Sequence, residues 1–135
     1  MGNADPNALT VAVSAAQAVE RVGMPEARIV LAQAVTYVAS APKSNASCMA
    51  VFEAMDTVRN TKTAPIPVHL QDAHYKGAQK LGHGDGYLYA HDYPNHYVKQ
   101  QYLPDGLTDC QFYKPTENGY EKTIKNHLTF LKENA

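Results

Sequence analysis

The sequence predicts an all-α domain of about five helices, with a long tyrosine-rich irregular segment before the last one. Three observations lead there. The run from Ile29 to Ala41 carries no formal charge and is framed by Pro25 and Pro42, which reads as one helix apolar on most of its circumference. The segments on either side place apolar residues at helical spacing. Short Gly-, Pro-, Ser- and Asn-bearing turns separate them. The expected organisation is one domain over 1–135: a three-helix core over 1–60, a Pro/Gly/Tyr-rich segment with one short helix over 61–110, and a C-terminal helix within 111–135.

The first helix starts at Asp5-Pro6, an N-capping residue followed by a proline that costs nothing in a first turn. It runs to about Val22, with Leu9, Val13, Ala16 and Val19 at helical spacing. Gly23-Met24 is too short for anything but an antiparallel hairpin. In the second helix Pro25 fits the first turn and Glu26 meets the positive end of the dipole. Ile29, Leu31, Val35 and Val38 cover one side, and Val30, Ala34 and Tyr37 another. Pro42 ends it, because proline cannot continue the ladder and disfavours helical geometry at Ala41. The length and the following Pro-Lys exclude a bilayer span. Val35 is expected to be buried, so that Val35→Asp would abolish folding.

Ser44 or Asn45 caps the third helix, whose Cys48, Val51, Met55 and Val58 fall on one face. Thr61 to Pro67 is extended, since its prolines prevent helix and ladder alike. A short helix is expected from about Val68 to Leu81, interrupted at Gly77. Gly82-His83-Gly84-Asp85-Gly86 is a tight turn. The following segment holds most of the tyrosines, seven of nine lying from Tyr87 onward. The last helix is expected from about Glu117 to Lys132, with Tyr120, Ile124, His127 or Leu128, and Leu131 on one stripe.

A chain of 135 residues with net charge −1 can bury one core, and it lacks the charge excess that drives nonspecific binding to nucleic acid or anionic membrane. No basic stretch followed by an apolar one marks a signal peptide. Cys48 and Cys110 are the only cysteines and have no partner at metal-ligand spacing, which favours two reduced thiols in an intracellular protein.

The residues offer little for catalysis. The glycine cluster at 82–86 lacks the Gly-Lys-Ser/Thr ending of a phosphate loop, so its glycines serve a turn. His83, Asp85, His91, Asp92 and His96 form a loose group that could ligate a divalent metal or imitate an acid–base pair. Their spacing matches no known motif, and no nucleophile stands beside them. No catalytic, cofactor-binding or metal residue is assigned. Tyr87, Tyr89, His91, Tyr93, Tyr97 and Lys99 remain as candidate contacts to a partner or to single-stranded DNA, since tyrosine rings can stack bases. The competing reading, which the thin positive charge favours, has the rings pinning a long loop by burial and hydroxyl bonds.

Taken together, several strings resemble successive motifs of one known family. They are Gly2-Asn3-Ala4-Asp5-Pro6, Gly23-Met24-Pro25-Glu26-Ala27-Arg28 with Leu31-Ala32-Gln33-Ala34, and Ala41-Pro42-Lys43-Ser44-Asn45. Further along come Pro67-Val68-His69-Leu70, Tyr87-Leu88-Tyr89-Ala90-His91-Asp92-Tyr93, Gln100-Gln101-Tyr102-Leu103-Pro104-Asp105, and Phe112-Tyr113-Lys114-Pro115-Thr116-Glu117-Asn118-Gly119-Tyr120-Glu121. The resemblance is to the C-terminal part of the replication-associated recombination protein A family, also called MgsA, relatives of the eukaryotic Werner-helicase-interacting ATPase. It spans essentially the whole chain. Ala90 departs from it, standing where the family has proline.

The resemblance implies a fragment: a clamp-loader-like AAA+ ATPase domain would precede it, holding the Walker motifs, ATP and Mg, and Met1 would be an introduced start. It implies a collar-like, non-catalytic module that joins the protein into a homotetramer. The parent would be a DNA-dependent ATPase of fork maintenance, recombination and repair, meeting DNA and replication proteins in a bacterial cytoplasm at the nucleoid, away from membranes. The alternative is a module that itself binds DNA or a replication protein through the tyrosine segment.

Overall fold

A computed structural model describes residues 1–134. The described residues contain four α-helices, five short 3-10 turns and no strand. The all-α expectation therefore holds, with one α-helix fewer than anticipated. The helices are α1 (Asn7–Val22), α2 (Ala27–Ser40), α3 (Ala46–Asn60) and α4 (Glu121–Glu133). By packing, the chain divides into two compact units, residues 1–52 with 113–127, and residues 53–112 with 128–134.

In the first unit the boundaries follow local chemistry. Asp5 Oδ1 accepts the backbone N–H groups of Asn7 and Ala8 at 3.0 and 3.2 Å, capping α1. The carboxylate also accepts the Tyr37 hydroxyl at 3.0 Å, tying the start of α1 to the end of α2. Gly23, at φ 73, ends α1. The chain re-enters a helix only at Ala27, after a turn in which the Arg28 and Ile29 N–H groups reach Pro25 and Glu26. Ala41 is extended (ψ 143) before Pro42, as proline requires. Lys43 Nζ donates to the carbonyls of Ala39 and Ala41, covering acceptors left at the end of α2. Ser44 Oγ accepts the Ala46 N–H at 3.1 Å and caps α3.

Of the two apolar sides expected on α2, the one with Val30, Ala34 and Tyr37 is the covered side. α1 and α2 pack side by side as an antiparallel hairpin, the only extensive contact between α-helices among the described residues. Its seam uses small residues: Ala8, Ala15 and Ala27 are buried, and Val11, Ala18, Val30, Ala34 and Tyr37 are half-buried. Of the expected stripes, Leu9, Val13 and Ala16 on α1 and Ile29, Leu31 and Val35 on α2 are exposed, whereas Val19 and Val38 are half-buried. Val35 is 65% accessible, so the expectation that Val35→Asp abolishes folding is withdrawn. The fully buried positions of the seam are alanines, since small side chains let helices approach, while Val11, Val30 and Tyr37 are only half covered.

The largest fully buried side chain among the described residues carries a charge. Glu121 is 0% accessible. Its Oε1 accepts the Tyr113 hydroxyl at 3.1 Å, and its Oε2 accepts the Thr116 N–H and hydroxyl at 2.9 and 2.7 Å. Burial alone would raise its pKa, but the hydrogen bonds from Thr116, Ser44 and Tyr113 outweigh it and hold the carboxyl below 4.5. Asn3 extends the network, donating to Tyr113 Oη and Ser47 Oγ. Tyr120 N–H reaches the Ala4 carbonyl at 2.8 Å, so three distant segments close on one another. Gly119 is required here: it sits at φ +54, and a Cβ would lie 2.1 Å from the Ala4 oxygen.

That knot also corrects the start of the last helix, which begins at Glu121 rather than Glu117. Thr116 Oγ1 takes the Asn118 N–H in a local turn, and the positive φ of Gly119 cannot belong to a helix.

In the second unit the helix expected from Val68 to Leu81 is absent. Only Val68–Leu70 and Ala78–Leu81 form 3-10 turns. Between them Asp72 Oδ1 captures the His74 N–H at 2.9 Å, Gln71 Nε2 donates to the Ile66 carbonyl, and Gly77 takes φ 101. Side-chain bonds to backbone have displaced the helical ladder. Gly82, Gly84 and Gly86 all have positive φ, as a tight turn demands. Ala78, Val98 and Leu107 are the buried apolar residues of this unit.

Candidate interaction surfaces

Two kinds of surface could serve a partner. The first is apolar. On α1, Leu9 and Val13 stand one turn apart and are 74% and 48% accessible. Leu31 and Val35 repeat the arrangement on α2, and Ile29 is exposed as well. On α3 the face expected to be core, Cys48, Val51, Met55 and Val58, is exposed together with Met49 and Phe52. Both cysteines are free thiols. Scattered exposed apolar residues are ordinary in monomers, but i, i+4 pairs on successive helices form the stripes by which helices recognise helices.

The second surface is the tyrosine segment. Tyr87, Tyr89 and Tyr93 are exposed, so ring burial does not hold this part of the chain. Backbone bonding does: Gln100 Nε2 donates to the Leu88 carbonyl, Tyr102 Oη donates to the Val98 carbonyl at 3.1 Å, and His69 Nε2 meets the Gln101 carbonyl at 2.7 Å. The structure brings together only part of the predicted set. The rings of Tyr89 and His91 lie 5.0 Å apart, and His91 and His96 likewise, giving a short series of tilted rings. Tyr97 is half-buried, and Lys99 is exposed. Among the described residues no three His, Cys, Asp or Glu side chains converge into a metal cage.

Tyr87 and Tyr89 also wall a recess of about 720 Å³ with residues 69–74 and Gly84. Sequence reading gave no signal for Asp72 or His74 there, because neither belongs to a recognisable spacing. Asp72 Oδ1 accepts both the N–H of His74 and its ring Nδ1, at 2.9 and 2.8 Å. The backbone bond from His74, then the ring bond, hold this carboxyl below 3.8 despite slight desolvation. Tyr75 Oη and His83 Nδ1 pair at 2.7 Å nearby in sequence. Among the described residues no helix is long and apolar enough to cross a membrane.

Comparison with known proteins gives these surfaces a context. The chain matches the family described as MgsA AAA+ ATPase C terminal over residues 1–132. It is 49% identical over 126 residues to the replication-associated recombination protein A of Bacillus subtilis, covering 93% of this chain and 30% of the relative. An AAA domain-containing protein of Mycobacterium tuberculosis is 48% identical over 132 residues, 98% of this chain and 29% of its own. The ATPase WRNIP1 of Dictyostelium discoideum is 34% identical over 115 residues, 84% of this chain and 13% of its own. The chain thus spans less than a third of the length of these relatives.

Proposed function

Because the chain belongs to the family of MgsA AAA+ ATPase C-terminal domains, we propose that it is a non-catalytic association module of a clamp-loader-like ATPase. It joins chains into a homotetramer. The names of the bacterial relatives support a setting in replication and recombination; the proposal itself adds repair and a place at the nucleoid in the cytoplasm. In this reading ATP and Mg belong to the part of the relatives that this chain does not cover, and the module takes no cofactor. Its task is architectural: it gathers several ATPase domains around DNA so that each nucleotide site is completed by its neighbour. DNA and replication proteins are then met through the longer protein.

One observation carries the reading. Large apolar side chains stand exposed on three successive helices: Leu9 and Val13 on α1, Ile29, Leu31 and Val35 on α2, and Met49, Val51 and Phe52 on α3. Side chains of this kind line obligate interfaces, which bury on the order of 2,000–5,000 Å². Light scattering on the purified chain tests it. A tetramer mass that falls on dilution is expected, and a strict monomer at high micromolar concentration would overturn the proposal.

The exposure of Tyr87, Tyr89 and Tyr93 supports a second reading, a binding module for single-stranded DNA or a replication protein. Fluorescence anisotropy with a single-stranded oligonucleotide, repeated at rising salt, separates the two. Tyr89→Ala with Tyr93→Ala should then remove binding and leave the fold intact.

A further inference from the structure

We infer that the recess walled by Asp72, Tyr87 and Tyr89 receives an arginine side chain from an extended segment of a protein partner. The inference is independent of the association reading, and it goes beyond the binding alternative by naming the chemistry of the guest. Three features of the recess support it.

Its carboxylate is Asp72, which pairs with the His74 ring through Oδ1. Asp72 is exposed at the rim, both of its hydrogen bonds fall on Oδ1, and Oδ2 has none among the described residues. A guanidinium arriving at Oδ2 would find an acceptor already held in place by the turn at His74. No lysine or arginine lines the recess, and its two histidines are already engaged, His74 by Asp72 and His69 by the Gln101 carbonyl, so a phosphate would meet a carboxylate without a free permanent cation. That disfavours a nucleic-acid backbone as the guest.

Its aromatic walls are open. Tyr87 and Tyr89 are 52% and 53% accessible, so aromatic surface remains available to a cation even with His91 beside the Tyr89 ring. A planar guanidinium can stack on such a ring while its edge donates to the carboxylate, which an ammonium cannot do.

The floor is fixed. Gly84 N–H donates to the Val68 carbonyl at 2.9 Å, and a Cβ at Gly84 would lie 2.8 Å from Ala73 Cβ. His69 is tied to the Gln101 carbonyl. At about 720 Å³ the recess also has room for the residues flanking the arginine.

The test is an NMR titration of the whole isotope-labelled chain with a nine-residue Gly-Ser peptide carrying two arginines. The same peptide with citrulline in place of arginine, and an oligothymidylate, serve as the other two arms. Saturable shifts confined to the amides of residues 71–74, 84, 87 and 89 are expected with the arginine peptide alone. Asp72→Asn should weaken binding about tenfold, the value of one charge-assisted hydrogen bond, while its amide oxygen keeps the turn to the His74 N–H. Tyr87→Ala should weaken it several-fold, and Asp109→Asn, outside the recess, should leave it unchanged. Equal shifts from the citrulline peptide, an unchanged affinity in Asp72→Asn, shifts from oligothymidylate at these amides, or no localised shift would each overturn the inference.

Discussion

Glu121 and Val35 occupy opposite situations from those their chemistry suggests. Glu121 carries a charge and is sealed from solvent, while Val35, on a helix with no formal charge, is 65% accessible. The difference lies in what each side chain finds nearby. The carboxylate of Glu121 meets hydrogen-bond donors on Thr116, Tyr113 and Ser44, so its lost hydration is replaced group by group. Val35 lies on the side of α2 away from the seam, where α1 has its alanines and half-buried valine. Burial in this molecule is decided by local complementarity: donors for the acid, and thin faces for the hairpin.

Breaking the knot should have the largest effect. Glu121→Ala leaves the Thr116 N–H and hydroxyl and the Tyr113 and Ser44 hydroxyls without their acceptor, and should cost about 3–5 kcal/mol in urea unfolding. Gly119→Ala attacks the same place sterically, since the added methyl would overlap the Ala4 carbonyl. It should cost at least about 2 kcal/mol by the same measurement, and a smaller loss would mean that the 118–121 turn can open without disturbing the carboxylate.

Acid should sharpen the contrast. The folded pKa of Glu121 is depressed, so its contribution to stability is fully present above 4.5 and is lost as pH falls through the folded value. Urea midpoints for the parent should fall below about pH 4.5, with a shallower fall in Glu121→Gln; parallel curves would assign the acid sensitivity elsewhere. Tyr113 has the opposite sign. Burial raises its pKa, with Glu121 adding to the rise and Asn3 opposing it, so its contribution is present below 10 and is lost above it.

The smallest effect on the fold is expected at the exposed stripe. Val35→Asp should shift the unfolding free energy of dilute chains by no more than about 0.5 kcal/mol, because the new charge stays in water. At high concentration the same variant should lower the light-scattering mass. A melting curve strongly altered in dilute monomer would restore Val35 to the core.

How much was legible follows the same division. Asp5, Gly23, Pro42 and Ser44 mark the ends of α1 to α3 because capping and proline sterics act over a few residues. The helix expected at 68–81 failed for an equally local reason: Gln71 and Asp72 found backbone partners, and Gly77 took a positive φ. In the tyrosine segment, Tyr87 and Tyr89 were visible as candidates, whereas Asp72 became one only when the turn at His74 set it beside them.

The sequence by itself determined that this is a helical chain, where its first three helices begin and end to within about two residues, and which family its motifs resemble. Tertiary structure alone decided which apolar face is covered and which acid is buried. Several stripes on α1 and α2 have similar apolar content, so periodicity cannot rank them; only the packing of α1 on α2 decides which is covered. Glu121 looks like any exposed helical glutamate until Ser44, Tyr113 and Thr116 converge on it, and hydrogen bonding over such separations has no signature along the chain.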